Sequence, residues 1–124
     1  MAEYRVSKRV RIGDKERLQV IEDEVMFAVP EGKRHTFAQF EALSGYMPAE
    51  FARMWMFDEA TGKLAEIDAG PGEQKRPVVF ANCSGDFALG VYSPEQPCRW
   101  FETQGYGGFR FKKERVGKWN LVVG

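Results

Sequence analysis

Apolar and polar positions alternate over residues 4–12, with Tyr4, Val6, Val10 and Ile12 on one side of an extended chain and Arg5, Ser7, Arg9 and Arg11 on the other. A period of two marks a strand with one face covered, so a half-buried strand is expected here. Lys15 to Val29 keeps a weaker period, interrupted by Glu22-Asp23-Glu24, and reads as one long strand or as two joined at the acidic cluster. Met54 to Phe57 and Lys63 to Ile67 flank Asp58-Glu59-Ala60-Thr61-Gly62, the layout of a hairpin. Pro77 to Ala81 and Phe87 to Tyr92 flank Asn82-Cys83-Ser84-Gly85-Asp86 in the same way. Arg99 to Thr103, Phe109 to Lys113 and Lys118 to Val123 supply further strands, and about nine are expected in all.

Thr36 to Tyr46 breaks this regularity. Thr36 with Gln39 matches a capping box, Phe37, Phe40 and Leu43 fall at helical spacing, and Gly45 is placed to end a helix. Pro48-Ala49-Glu50 would open one more turn, with Phe51, Met54 and Trp55 on its inner side. The competing architecture is therefore an α+β domain in which residues 36–55 form a helical pair. A helix-turn-helix DNA reader is disfavoured, because Arg53 is the only cation of that region.

The turn signals are Gly13-Asp14, Glu31-Gly32, Ser44-Gly45, Thr61-Gly62, Gly70-Pro71-Gly72, Ser84-Gly85, Ser93-Pro94, Gly107-Gly108 and Gly117. They cut the chain into short segments, as in β-sandwiches and barrels. Composition points the same way: Val occurs 11 times and Phe 10 against 5 Leu, a β-branched and aromatic set that favours strands. The expected fold is all-β, an antiparallel β-sandwich with at most one or two short helical turns. The 124 residues fit a single domain over 1–124.

Eighteen basic and eighteen acidic residues cancel, which disfavours a nucleic-acid binder or a polybasic membrane binder. Their distribution is uneven. Residues 1–17 carry six cations against three acids and residues 99–124 six against two, whereas residues 18–98 carry six against thirteen. If the terminal strands lie side by side, Arg5, Arg9, Arg11, Arg110 and Lys112 gather on one basic surface; a solvated outer sheet face is the favoured reading of these charges. The apolar runs are too short to span a bilayer and the N-terminus lacks a signal core, so a cytoplasmic protein is expected. Cys83 and Cys98 then read as free thiols, with a disulfide the alternative because they flank one candidate strand, and with His35 as the lone histidine they make neither a zinc site nor an activated nucleophile. No cofactor or metal is expected.

Few residues carry candidate chemistry. His35 titrates near neutrality, and Glu41 stands close enough in sequence to orient it or exchange protons with it. Trp55, Trp100, Trp119, Tyr46, Tyr92 and Tyr106 offer flat amphipathic rings suited to stacking on sugars or to packing. The Gly105-Tyr106-Gly107-Gly108 stretch reads as a turn exposing Tyr106, not as a phosphate loop, since no helix follows it. Arg53 lies between Phe51 and Met54-Trp55, where a charge needs solvent or a partner, and Glu41 is the expected partner.

Several separated pieces carry a resemblance: Gln39-Phe40-Glu41-Ala42-Leu43-Ser44-Gly45-Tyr46-Met47-Pro48, the hairpin from Phe57-Asp58 to Gly62-Lys63-Leu64, Gly72-Glu73-Gln74, Ala88-Leu89-Gly90-Val91-Tyr92-Ser93-Pro94 and Lys118-Trp119-Asn120. Together they resemble bacterial proteins of the galactose mutarotase-like (aldose epimerase-like) supersandwich class. The resemblance implies a two-sheet antiparallel sandwich whose concave face receives carbohydrate, with the segment from Thr36 to Leu43 a strand. Domains of that class are typically more than twice this length, so the chain would be a fragment, a trimmed version or a protein completing itself as a homodimer. The expected function is a non-catalytic binding module for carbohydrate or a related polar small molecule, with His35, Glu41, Tyr46, Arg53, Trp55, Asp86 and Tyr106 as candidate ligand-binding residues. The alternatives are an aldose-epimerase-like enzyme using His35 and Glu41, or a structural interaction protein with no small ligand.

Overall fold

The computed structural model describes residues 4–32, 40–68, 72–74, 76–93, 107–113 and 116–123. All of its regular structure is β: β1 Arg5–Ile12, β2 Ile21–Ala28, β3 Phe40–Pro48, β4 Arg53–Asp58, β5 Lys63–Ile67, β6 Gly72–Gln74, β7 Val78–Ala81, β8 Ala88–Val91, β9 Gly107–Lys113 and β10 Val116–Val123. The pairing is antiparallel throughout. No helix among the described residues is long and apolar enough to cross a membrane. The chain forms two compact units, Met1–Phe37 and Ala38–Gly124.

The first unit is a two-stranded ribbon, β1 with β2, in register from Arg5–Ala28 to Ile12–Ile21. Its turn is closed by Gly13 N–H donating to the Val20 carbonyl at 2.7 Å, with Gly13 at φ +68°, a conformation glycine adopts at little cost because it has no β-carbon. Asp14 caps the bend by accepting from the Glu16 and Arg17 amides at 2.9 and 2.8 Å. The expectation of a half-buried first strand fails: every residue of β1 is exposed. Alternation is present, but the described residues of this unit supply only the one two-stranded sheet. The Glu22-Asp23-Glu24 cluster does not break the strand either, because it lies opposite β1 and forms ion pairs with Arg11, Lys8 and Arg9. The terminal strands do not lie side by side in one sheet, since β1 pairs with β2 and β9 with β10 and β6.

The second unit contains two four-stranded sheets, β3-β10-β9-β6 and β5-β4-β7-β8. Met54, Val78, Phe80 and Val91 of the latter meet Trp119 and Leu121 of the former, with Leu43, Met47, Phe51, Ile67 and Leu89 packed around them. This is a sandwich core, built from the inward half of each strand. Phe80 and Trp119 stack across it, ring centroids 6.2 Å apart at 26°. Both expected hairpins form, β4–β5 ending at the Asp58–Lys63 pair and β7–β8 at Ala81–Ala88.

The helical pair weighed over residues 36–55 is overturned in its described part, 40–55, and the strand implied for Thr36 to Leu43 is found from Phe40 onward. Phe40–Pro48 is a strand on the edge of its sheet, and Arg53–Asp58 is a strand between β5 and β7. A bulge explains the misleading spacing: Leu43 pairs with Leu121 and Glu41 with Val122, leaving Ala42 unpaired. Phe40 and Leu43, three residues apart, therefore stand two rungs apart. Ser44-Gly45, Gly107-Gly108 and Gly117 are likewise strand residues, not turns. Gly45 is there for proximity, because a β-carbon on it would lie 2.7 Å from three atoms of the Trp119 indole. The capping residues Thr36 and Gln39, the expected strand Arg99–Thr103 and Cys98 lie outside the described residues; Cys83 is an exposed free thiol.

Candidate functional site

Strand alternation divides β4 between two environments. Met54 points into the core at 1% exposure, which sends Arg53, Trp55 and Phe57 to the outer face of the β5-β4-β7-β8 sheet. Register then sets their neighbours. Trp55 stands between Glu66 of β5 and Val79 of β7, and Val79 is followed across the sheet by Gly90 of β8. Phe57 is opposite Leu64, and its amide donates to the Pro77 carbonyl at 2.8 Å. The row beside the aromatic residues is open, since a β-carbon on Gly90 would touch nothing within 4 Å.

Arg53 organises the polar end of this face. Its Nε donates to Glu66 Oε1 at 3.1 Å and its Nη2 to Glu66 Oε2 at 3.3 Å, a two-point fork, while its guanidinium carbon sits 4.7 Å from the centre of the Trp55 ring. The hydrogen bond from Arg53, with its charge, holds the Glu66 carboxyl below its ordinary range against the opposing effect of burial. The same bond, with the charge of Glu66, holds the Arg53 guanidinium firmly protonated. Both side chains remain about half exposed, so the fork is fixed in place yet accessible. Each carboxylate oxygen retains acceptor capacity beyond the bond it takes from Arg53.

Two turns frame the face. At one end Asn82 accepts from the Phe87 amide through Oδ1 at 3.1 Å and donates through Nδ2 to Ser84 at 2.8 Å. The Cys83 amide donates to the Glu50 carbonyl at 3.1 Å, tying this turn to the β3–β4 connection. Asp86 is exposed in the same turn, next to the Ala81–Ala88 rung that continues from Arg53. At the other end Asp58 accepts from the Ala60 amide and pairs with Arg76 at 3.1 Å. Burial alone would raise the Asp58 carboxyl, but the Ala60 amide and Arg76 together hold it below its usual range.

Of the residues singled out from the sequence, Arg53 and Trp55 share this face and Asp86 borders it. The expected partnership of Arg53 with Glu41 is replaced by Glu66, thirteen residues away and brought alongside by the β4–β5 register. Glu41 is exposed on β3, in the other sheet. Tyr46, also on β3, is 67% exposed and lies beneath Lys118, whose Nζ is 5.8 Å from the ring centre. His35 and Tyr106 lie outside the described residues. Sequence reading missed Glu66, Phe57 and Leu64; the odd–even pattern of the hairpin was the signal that joins them to Trp55. Among the described residues no three His, Cys, Asp or Glu side chains cluster closely enough to hold a metal ion. Comparison of the chain with protein-family models, curated proteins and solved structures gives no match.

Proposed function

We propose that the outer face of the β5-β4-β7-β8 sheet is a non-catalytic binding surface for carbohydrate or a related polar small molecule. The observation that carries this reading is the Arg53–Glu66 fork set against Trp55. A pyranose presents apolar C–H faces and a rim of hydroxyls, and is recognised where flat apolar side chains adjoin fixed donors and acceptors. Trp55, Phe57 and Leu64 supply the first, and the fork supplies both donor and acceptor in one rigid unit. The shallow rung at Val79 and Gly90 leaves room for a ring to lie flat. The resemblance to galactose mutarotase-like proteins, which receive sugars on a sheet face, supports the same ligand class.

The test is titration of the chain with a panel of aldoses and short oligosaccharides, followed by NMR, for the wild type and Arg53→Ala. Saturable shifts of β4 and β5 amides that vanish in Arg53→Ala, with the melting temperature nearly unchanged, support the proposal. A large loss of stability in Arg53→Ala would make the fork structural and remove it from the site. Accelerated interconversion of sugar anomers, abolished by His35→Ala, would replace the binding module with the epimerase-like enzyme.

A further inference from the structure

The glycines of the second unit answer to different demands. Gly62 and Gly85 hold positive φ, +66° and +81°, in their turns, and Gly45 leaves space for the Trp119 indole. Gly90 of β8 meets neither demand. Its φ is not positive, the β7–β8 register runs without a shift from Val78–Val91 to Ala81–Ala88, and a β-carbon on it would meet nothing within 4 Å. Glycine inside a strand weakens it, and where no bend, bulge or close approach of the chain itself calls for one, it marks the approach of something from outside. Its neighbours Leu89 and Val91 pack into the core, so Gly90 lies on the outer face, where it is exposed.

Register places Gly90 at the end of one row. Glu66, Trp55, Val79 and Gly90 stand side by side on β5, β4, β7 and β8, and the Arg53–Glu66 fork occupies the other end. The row spans three strand spacings, about 14 Å. A pyranose is little more than one spacing wide, so a single ring on Trp55 beside the fork leaves Gly90 untouched. We propose that the surface receives an oligosaccharide of at least two rings laid across the strands, and that the missing side chain at Gly90 admits the second ring. This rests on the carbohydrate reading of the outer face. The first ring lies on Trp55 within reach of the fork; the second lays its C–H face on Val79 and the bare peptide of Gly90. An oligosaccharide running along β4, from Trp55 to Phe57, would make no use of Gly90.

Amide NMR titrations of the full chain with glucose, maltose and maltotriose, and with galactose and lactose, decide the matter. In the series that binds, the disaccharide should bind at least about tenfold more tightly than the monosaccharide, and should move the Val79 and Gly90 amides that the monosaccharide leaves in place. Gly90→Val should bring the disaccharide back to the affinity of the monosaccharide and leave the monosaccharide unchanged. Valine suits a strand and its β-carbon has room, so the melting temperature of Gly90→Val should hold or rise by about 2–5 °C. Gly90→Ala should move affinity and melting temperature in the same directions by less. Equal affinities for mono- and disaccharide, a disaccharide indifferent to Gly90→Val, or shifts that run from Trp55 to Phe57 and not to Gly90 would overturn the proposal and leave the binding surface standing. A melting temperature lowered by both substitutions would give Gly90 a folding role and overturn it as well. No shift with any saccharide would remove the surface itself, and this inference with it.

Discussion

Gly45→Ala is the sharpest probe of the core. Alanine normally stabilises such a position by about 0.4–1 kcal/mol, because it restricts the unfolded chain, and Gly45 has no positive φ to forbid it. Here the new methyl would stand 2.7 Å from Cε2, Cζ2 and Nε1 of Trp119, where ordinary contact begins at 3.4 Å, an overlap of 0.7 Å with three atoms at once. The indole has little freedom to retreat: it is only 9% exposed and stacks on Phe80. Overpacking of this kind costs about 1–3 kcal/mol, so the sign reverses and the net loss is about 1–2 kcal/mol. For a chain of this size the melting temperature should fall by about 5–10 °C, measured by circular dichroism. In a Trp119→Phe background, which lacks the indole edge formed by those atoms, the same substitution should be nearly neutral. Stabilisation by Gly45→Ala in the wild-type background would refute the packing of β3 against β10.

Met54→Ala, at the most buried side chain of the core, should cost about 2–5 kcal/mol in urea unfolding. Asn82→Ala removes the acceptor of the Phe87 amide, and should lower the denaturation midpoint by an amount equivalent to about 0.5–1.5 kcal/mol. Acid should destabilise the fold: the amide of Glu16 and the side chain of Arg17 hold Asp14 below its ordinary value, the Ala60 amide and Arg76 prevail over burial at Asp58, and Arg53 lowers Glu66. Each carboxyl binds its proton less tightly folded than unfolded, so its contribution is full above the ordinary carboxylate range and is lost as pH falls through the depressed values. A urea midpoint unchanged between pH 7 and pH 3 would contradict those three assignments.

The all-β class was legible because the β4–β5 and β7–β8 hairpins combine period-two apolar residues with turns that need Gly62 and Gly85 at φ +66° and +81°. Local chemistry decides such turns, and local chemistry is what a sequence displays. The periodicity at Phe40–Pro48 misled, because the bulge at Ala42 shifts the pattern by one residue and imitates a helical turn; only the resemblance, which implied a strand from Thr36 to Leu43, pointed to the strand found from Phe40 onward. Gly45 carried the opposite message from the one expected; it marks a close approach to Trp119, a residue 74 positions away, and not a helix end. At the site, Arg53 and Trp55 stood out as a charge and a large ring together, but choosing Glu66 over Glu41 requires knowing that Trp55 pairs with Glu66. The exposure of β1 was hidden for a related reason: alternation reports that a strand has two faces, and only the tertiary structure tells whether one of them is covered.

The indole N–H signals of the three tryptophans test the central claim most directly. With each assigned by substitution, titration with the sugar panel should move the Trp55 resonance saturably and leave the core Trp119 resonance in place. The Trp55 response should disappear in Glu66→Gln, which weakens the fork without removing the ring. An indole spectrum unmoved by every sugar, or a shift confined to Trp100 or Trp119, would contradict the assignment of the outer face of the β5-β4-β7-β8 sheet as the binding surface.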